Sequence, residues 1–399
     1  MNTYSRIAAA ESAPPFIGNI ERLDLVELVF QMYPFGDLEN ISIVGAQHIL
    51  PSTLTMLQSF FDRGVLPQNI FLIGKCYSTD FETYEKLREL GVYVCPSSLD
   101  FQKSSNFDDF YANNISGFVD YLHSNNRIEK NRLTVVLDDG GVLISRLNQE
   151  VDQNCFKMVG VEQTTSGFEK IKNLNLNLCV INVARSFVKL NVESGIVAKT
   201  AVDALITRLA QTKKRFENAL IVGNGAIGSA LASRLEGQVY VTLVDIDNEK
   251  SDIPYEKCFQ QLNKYDLIIG CTGTQILDFK ALKSLKKGTT LASLSSSDRE
   301  FDVVKLRKEA RGIVSCHDDF TKDGVTVLNC GFPVNFTGMS DLVDIEEFSL
   351  TRSLLALGIL QAIEMGDKKG LLELSKKHQK KLLARFLETF QTQVVHLAK

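Results

Sequence analysis

Short apolar runs rich in Val and Ile alternate with amphipathic stretches almost throughout the chain. Residues 41–45 read as a strand and 51–63 as the helix behind it. Residues 69–74 give a second strand, followed by a helical pattern over 80–90 and a strand over 92–95, and 133–137 and 178–183 continue the series. Strands alternating with helices of ~10–15 residues predict right-handed crossovers and a largely parallel sheet. A second series follows a long helical stretch over about 192–214: strand 218–222, a Gly-rich turn, a helix to about 235, and strands at 239–244, 265–270, 289–294 and 325–328. The tail changes character. Residues 346–364 and 371–395 repeat Leu at i, i+3, i+4 spacing with basic residues opposite, which predicts two long helices packed on the first domain or on another subunit.

The expected fold is therefore α/β: two Rossmann-like parallel-sheet domains with a helical C-terminal segment. Residues 1–191 form the substrate or catalytic domain, completed by C-terminal helices at 345–399, and 192–344 the dinucleotide domain. A length of 399 residues accommodates this, and 44% hydrophobic with 23% charged residues is ordinary for a globular protein. A net charge of −4 provides no basic field, so nucleic acid is not an expected partner. The opening residues, an Ala run leading to Pro14 and Pro15, do not read as a secretory signal, and no apolar run approaches the ~20 residues of a membrane span. The eight cysteines are scattered without a Cys-x-x-Cys pair, which fits reduced thiols in the cytoplasm. Cys316-His317-Asp318-Asp319 reads as a solvated loop, because adjacent residues rarely converge on one metal.

The most informative motif is Gly223-Asn224-Gly225-Ala226-Ile227-Gly228. Gly-x-Gly-x-x-Gly alone says little, but here a strand runs straight into Gly223 and a helix starts inside the motif. Gly223 permits the tight turn, Gly225 leaves room for a pyrophosphate, and Gly228 lets the helix lie close to the strand. The free N–H groups of the helix N-terminus, beginning at Ala226 and Ile227, face the phosphates. The next strand ends at Asp245, whose carboxylate can accept from ribose hydroxyls and repel a 2′-phosphate, so NAD is expected over NADP. Thr272 and Gly273 follow a later strand, where such domains cross the pyrophosphate and nicotinamide ribose.

From about residue 48 to 364, an ordered set of segments resembles the S-adenosylhomocysteine hydrolases: Leu137-Asp138-Asp139-Gly140-Gly141, Val161 to Gly167, Ile181-Asn182-Val183 with Ser186 and Lys189, the Gly-rich turn, Cys271-Thr272-Gly273 and Val327-Leu328-Asn329. The resemblance implies a retained NAD that oxidises a substrate 3′-hydroxyl, a base that removes the adjacent proton, elimination at the 5′ position, hydration and return of the hydride. By position, His48 resembles the family's histidine near the leaving group and Asp139 its active-site aspartate. Lys189 resembles the lysine beside the hydroxyl, and Glu193 the acid on the ribose hydroxyls. Glu162, Gln163 and Thr164 fall at the substrate, and Thr165, Ser194 and Asn329 at the cofactor. Departures affect the substrate more than the redox parts: Gln163 replaces a catalytic glutamate, Leu50 and Ser52 replace adenine-binding residues, Ser295-Ser296-Ser297 replaces a segment bearing a histidine, and Ala198 replaces a cysteine.

The expectation is an NAD-dependent enzyme oxidising a secondary hydroxyl of a nucleoside-like or other small polar substrate, as a dehydrogenase. The alternatives are a true hydrolase with a rebuilt adenine pocket, and a non-catalytic NAD- or nucleoside-binding protein. A homo-oligomer, dimer or tetramer, is expected.

Overall fold

A computed structural model describes residues 22–154, 156–337 and 348–389, so the Ala run and the prolines at 14 and 15 lie outside the described residues. The first half runs α1 (Asp24–Met32), β1 (Ile41–Ala46), α2 (Pro51–Phe61), β2 (Ile70–Ile73), α3 (Phe81–Glu89), β3 (Tyr93–Val94), α4 (Phe107–Ser124), β4 (Leu133–Asp138), α5 (Val142–Asn154), β5 (Met158–Glu162), α6 (Thr165–Ile171) and β6 (Cys179–Asn182). The second runs α7 (Ser194–Gln211), β7 (Asn218–Val222), α8 (Ala226–Leu235), β8 (Tyr240–Val244), α9 (Tyr255–Phe259), β9 (Leu267–Gly270), α10 (Phe279–Lys283), β10 (Thr290–Ser293), α11 (Val304–Glu309), β11 (Phe320–Lys322) and β12 (Val325–Val327). The chain then adds α12 (Ser349–Glu364), β13 (Gly370–Glu373) and α13 (Lys376–Thr389).

Two sheets result, in the orders β13-β6-β5-β4-β1-β2-β3 and β11-β12-β10-β9-β7-β8. The first is parallel throughout, and in the second only the β11–β12 pair is antiparallel. Helices on both faces bury the strands, which explains apolar runs such as Val135-Val136-Leu137 in place of strict alternation. Short polar side chains start several helices: Asp80 accepts from Thr83 N at 2.7 Å and Asn106 from Asp109 N at 2.8 Å. In each sheet the strand order reverses once, between β1 and β4 and between β7 and β9. The C-terminal ends of those strands flank the crevice where such sheets bind ligands.

The tail differs from its sequence pattern in one place. Residues 370–373 form a strand, not the start of a helix, because they extend the first sheet beside β6 with Leu371 opposite Val180. α12 lies on the same sheet, so close that a Cβ at Gly358 would come within 2.8 Å of Val161 and Val183. The helical pattern beyond residue 389 lies outside the described residues.

The two halves meet over an aromatic cluster: Tyr77 packs on Phe107 at 5.1 Å and on Phe332 at 5.2 Å between ring centres. Beside it Arg307, fully buried, donates to Lys103 O at 2.9 Å, Ser105 O at 2.6 Å and Cys330 O at 3.0 Å, and pairs with Asp298 at 2.9 Å. The other oxygen of Asp298 accepts from Phe107 N at 3.0 Å. The 316–319 segment belongs to this contact and is not the solvated loop its sequence suggests. Cys316 is buried against Cys76 of the first half, which is the main reason its thiol is pulled down to about 5, and Asp318 caps Val314 N and Ser315 N. No helix among the described residues is long and apolar enough to cross a membrane.

Candidate functional site

The Gly-rich turn follows β7, and each glycine has a separate reason. Gly223 has φ +105°, and a Cβ there would lie 2.9 Å from the Cys271 backbone. A Cβ at Gly228 would lie 1.8 Å from Gly223 O, so only glycine lets α8 approach its strand. A Cβ at Gly225 would meet no protein atom within 4 Å; that space lies open in front of the turn. Gly225 is the N-cap of α8 and no side chain caps this end, which leaves the first amides, from Ala226 to Gly228, directed at an incoming group.

Asp245 closes one side. Its carboxylate accepts from Asn224 N at 2.7 Å and Asp247 N at 3.0 Å. Partial burial alone would raise its pKa, but these amides hold it below the ordinary value, so it is ionised at neutral pH. Each oxygen still has a lone pair for a ribose hydroxyl. Ile246 beside it is 84% exposed. On the other side Glu300, completely buried, accepts from Thr272 N and Gly273 N at 2.7 Å each and from Thr272 Oγ1 at 2.9 Å. Glu300 thereby fixes the loop after β9 against the turn.

The crevice of the first sheet holds a charged cluster. Asp139, just past β4, accepts from Lys75 Nζ and Gln163 Nε2, and lies 3.3 Å from His48 Nε2. His48 follows β1, and its Nδ1 meets Ser78 Oγ. Burial would raise the Asp139 carboxyl, but Lys75 and His48 hold it well below the carboxylate range. Burial lowers the His48 pKa more than Asp139 raises it, so the ring is neutral at pH 7. With Asp139 as acceptor, the neutral ring carries its proton on Nε2 and takes the Ser78 hydroxyl hydrogen on Nδ1. Phe336 of the second half stacks on this ring, 5.1 Å between centres. Beneath them burial pushes Asp138 up to about 6 and Glu162 well above its ordinary value. Glu162 accepts from Thr164 N and Thr164 Oγ1, both at 2.7 Å, so it orients the start of α6.

Lys189 and Glu193 occupy the ends of a π-helical turn, Lys189–Glu193, directly before α7. Such wide turns concentrate at functional sites. Lys189 Nζ reaches both Glu193 oxygens, at 2.9 and 2.7 Å, and Thr351 of α12 donates to Glu193 Oε1 at 2.7 Å. Arg352, the next residue, donates from Nε to Ser52 Oγ at 3.0 Å and feels the charges of both Asp139 and Glu193. It therefore stands between the two clusters.

Of the remaining expected residues, Thr165 is exposed at the start of α6, and Ser194 Oγ turns back to Leu190 O at 2.8 Å. Asn329 is buried at φ +51°, its Nδ2 donating to Pro333 O at 3.0 Å and Phe336 O at 2.7 Å, so it braces the segment that carries Phe336. Sequence reasoning missed Lys75, Ser78, Glu300 and Arg352. Lys75 had a usable signal in its position past the strand Ile70–Ile73, and Arg352 in being a lone charge inside an apolar helical run. Among the described residues no cluster has the ligands for a metal ion.

No protein-family model matches the chain. Two uncharacterized proteins of Mycobacterium tuberculosis, MT0113 and Rv0104, are each 36% identical over 336 residues, 82% of this chain. The match spans 65% of their length. Among solved structures, dipicolinate synthase A chain from Bacillus subtilis is similar at 12% identity over 86% of this chain and 97% of that one, with a TM-score of 0.34. NAD+-bound 3-phosphoglycerate dehydrogenase of Entamoeba histolytica is similar at 12% identity over 82% and 94%, with a TM-score of 0.39.

Proposed function

We propose that the chain is an NAD-dependent oxidoreductase acting on a secondary hydroxyl of a small polar substrate. The observation that carries this reading is the Gly225 turn: an uncapped helix N-terminus, open space in front of it, and an ionised Asp245 at the ribose position. The residues fit the group, and NAD held there supplies a hydride acceptor. The exposed Ile246 offers an apolar surface beside the ribose end, as an adenine ring requires.

Lys189 and Glu193 handle the hydroxyl. A hydroxyl set against their ion pair receives an N–H from Lys189 on its oxygen and gives its proton to the Glu193 carboxylate, while the carbon-bound hydrogen leaves as hydride. The products are a ketone, the reduced cofactor and a proton. Thr351 holds Glu193 Oε1 and so fixes the carboxylate against Lys189. His48 stands on the other side of the crevice, a neutral ring oriented by Ser78 and Asp139.

The resemblance to S-adenosylhomocysteine hydrolases supports the oxidation more than the elimination. The position of the family's catalytic glutamate holds Gln163, whose amide donates to Asp139 and has no carboxylate to offer as a base. The test is purified chain with NAD and a panel of hydroxyl compounds, followed by absorbance of reduced nicotinamide. Lys189→Ala should lower turnover by at least about 100-fold with NAD affinity nearly unchanged. Release of homocysteine from S-adenosylhomocysteine without net reduction of NAD would replace this reading with the hydrolase. Binding of NAD without turnover on any compound would defeat it.

A further inference from the structure

Among the described residues three cations are buried, Lys75, Arg307 and Arg352, and the first two have a carboxylate in contact. Lys75 has Asp139 and Arg307 has Asp298 at 2.9 Å, and the half-buried Lys189 likewise has Glu193 at 2.7 Å. Arg352 is as deeply placed, 3% exposed, yet among the described residues no carboxylate lies within 4 Å of it. Among the described residues its one hydrogen bond runs from Nε to the neutral hydroxyl of Ser52. Burial pulls its pKa down only to about 10, so the guanidinium keeps its charge at pH 7. A buried charge whose counter-charges, Asp139 and Glu193, act only from beyond contact distance is costly to keep. A guanidinium has five N–H donors in a planar fork, and the four on the two terminal nitrogens make no hydrogen bond among the described residues.

We propose that Arg352 is a substrate-binding residue whose free guanidinium fork receives a carboxylate, so that the substrate is a hydroxy acid. This rests on the oxidoreductase reading above and names its substrate class. The position suits the role. Arg352 is flanked by Thr351, which holds Glu193, and by Ser52, which lies in the first turn of α2 just past His48. A carboxylate on the fork places the rest of a small acid between His48 and the Lys189–Glu193 pair. The planar fork matches the two oxygens of a carboxylate in a bidentate pair. A neutral ring in the same place would give the terminal nitrogens no anionic acceptor, so acids are selected over nucleosides.

The test uses the full chain saturated with NAD, with malonate as an unreactive carboxylate probe and inorganic phosphate beside it, read by calorimetry. Malonate should bind; Arg352→Gln should weaken it by at least about 100-fold, and Arg352→Lys, a point charge without the fork, by about 10-fold, with NAD affinity unchanged in both. The lysine variant retains the buried charge and keeps the test valid if the glutamine variant fails to fold. In turnover, lactate, malate and 3-hydroxybutyrate are compared with propane-1,2-diol, butane-1,3-diol and adenosine. The proposal is overturned if malonate does not bind, if it binds both variants as tightly as the native chain, or if phosphate displaces it as the tighter ligand. Oxidation of the neutral compounds in preference to the acids overturns it too, while leaving the oxidoreductase reading intact. Arg352-dependent malonate binding without oxidation of any compound supports this inference and defeats the oxidoreductase.

Discussion

Two glycines three residues apart separate ligand binding from packing. A Cβ at Gly228 would sit 1.8 Å from Gly223 O and 3.0 Å from Gly223 C. Side-chain carbons do not approach backbone oxygen closer than about 3 Å, so Gly228→Ala must drive α8 and the turn apart by more than an ångström. Overpacking of this kind costs about 1–3 kcal/mol. It also draws the helix amides away from the phosphates, and losing two charge-assisted hydrogen bonds weakens binding by at least about 100-fold. Gly225→Ala meets no protein atom, and with φ −87° and ψ −166° the backbone accepts alanine without strain. Its methyl enters only the space assigned to the pyrophosphate. The expectation is a stability within ~0.5 kcal/mol of the native chain together with a similar loss of NAD affinity. Urea unfolding gives the first quantity and calorimetric titration with NAD the second. A Gly225→Ala chain that binds NAD normally would refute the assignment of the turn, whatever Gly228→Ala does.

Asp245→Ala should weaken NAD by about 10-fold or more and NADP far less, since only the ribose 2′-hydroxyl needs the carboxylate; equal losses in competition titrations would remove Asp245 from cofactor choice. Asp139→Asn should destabilise the chain by about 3–5 kcal/mol at pH 7, because it strands Lys75 without its counter-charge. The folded-state pKa of Asp139 lies below its unfolded value, so its stabilisation is complete above about pH 4 and is lost as pH falls through the depressed folded value. The penalty should therefore shrink below pH 4; a penalty under ~1 kcal/mol at pH 7, or one equal at pH 7 and pH 3, would contradict the pairing.

Local features were legible in the sequence and non-local ones were not. The strand, turn and helix around Gly225 are contiguous, and α8 begins and ends where its pattern does, at Ala226 and Leu235. The strand Gly370–Glu373 is four residues long, too short for alternation to be told from helical spacing, and it exists because β6 offers an edge to pair with. Cys316 looked solvated because its covering residues, Cys76 among them, arrive from the other half of the chain. Lys75 and Arg352 resemble surface residues by type, since Lys and Arg are almost never buried unless paired. Only the assembled crevice shows what surrounds them.

The seventh strand of the first sheet has a consequence for how the chain is made. β6 ends at Asn182 and its edge partner begins at Gly370, so nearly 190 residues separate them in synthesis. At about 5–20 residues per second, a ribosome leaves that edge bare for roughly 10 to 40 seconds. During this interval the backbone of β6 is a template for any passing strand, and the second sheet folds before the first is closed. Nascent chains arrested before Ser349 should thus bind chaperones or aggregate in a way that chains carrying the Gly370–Glu373 strand do not. The interval of greatest exposure runs from the synthesis of β6 to the emergence of the Gly370–Glu373 strand.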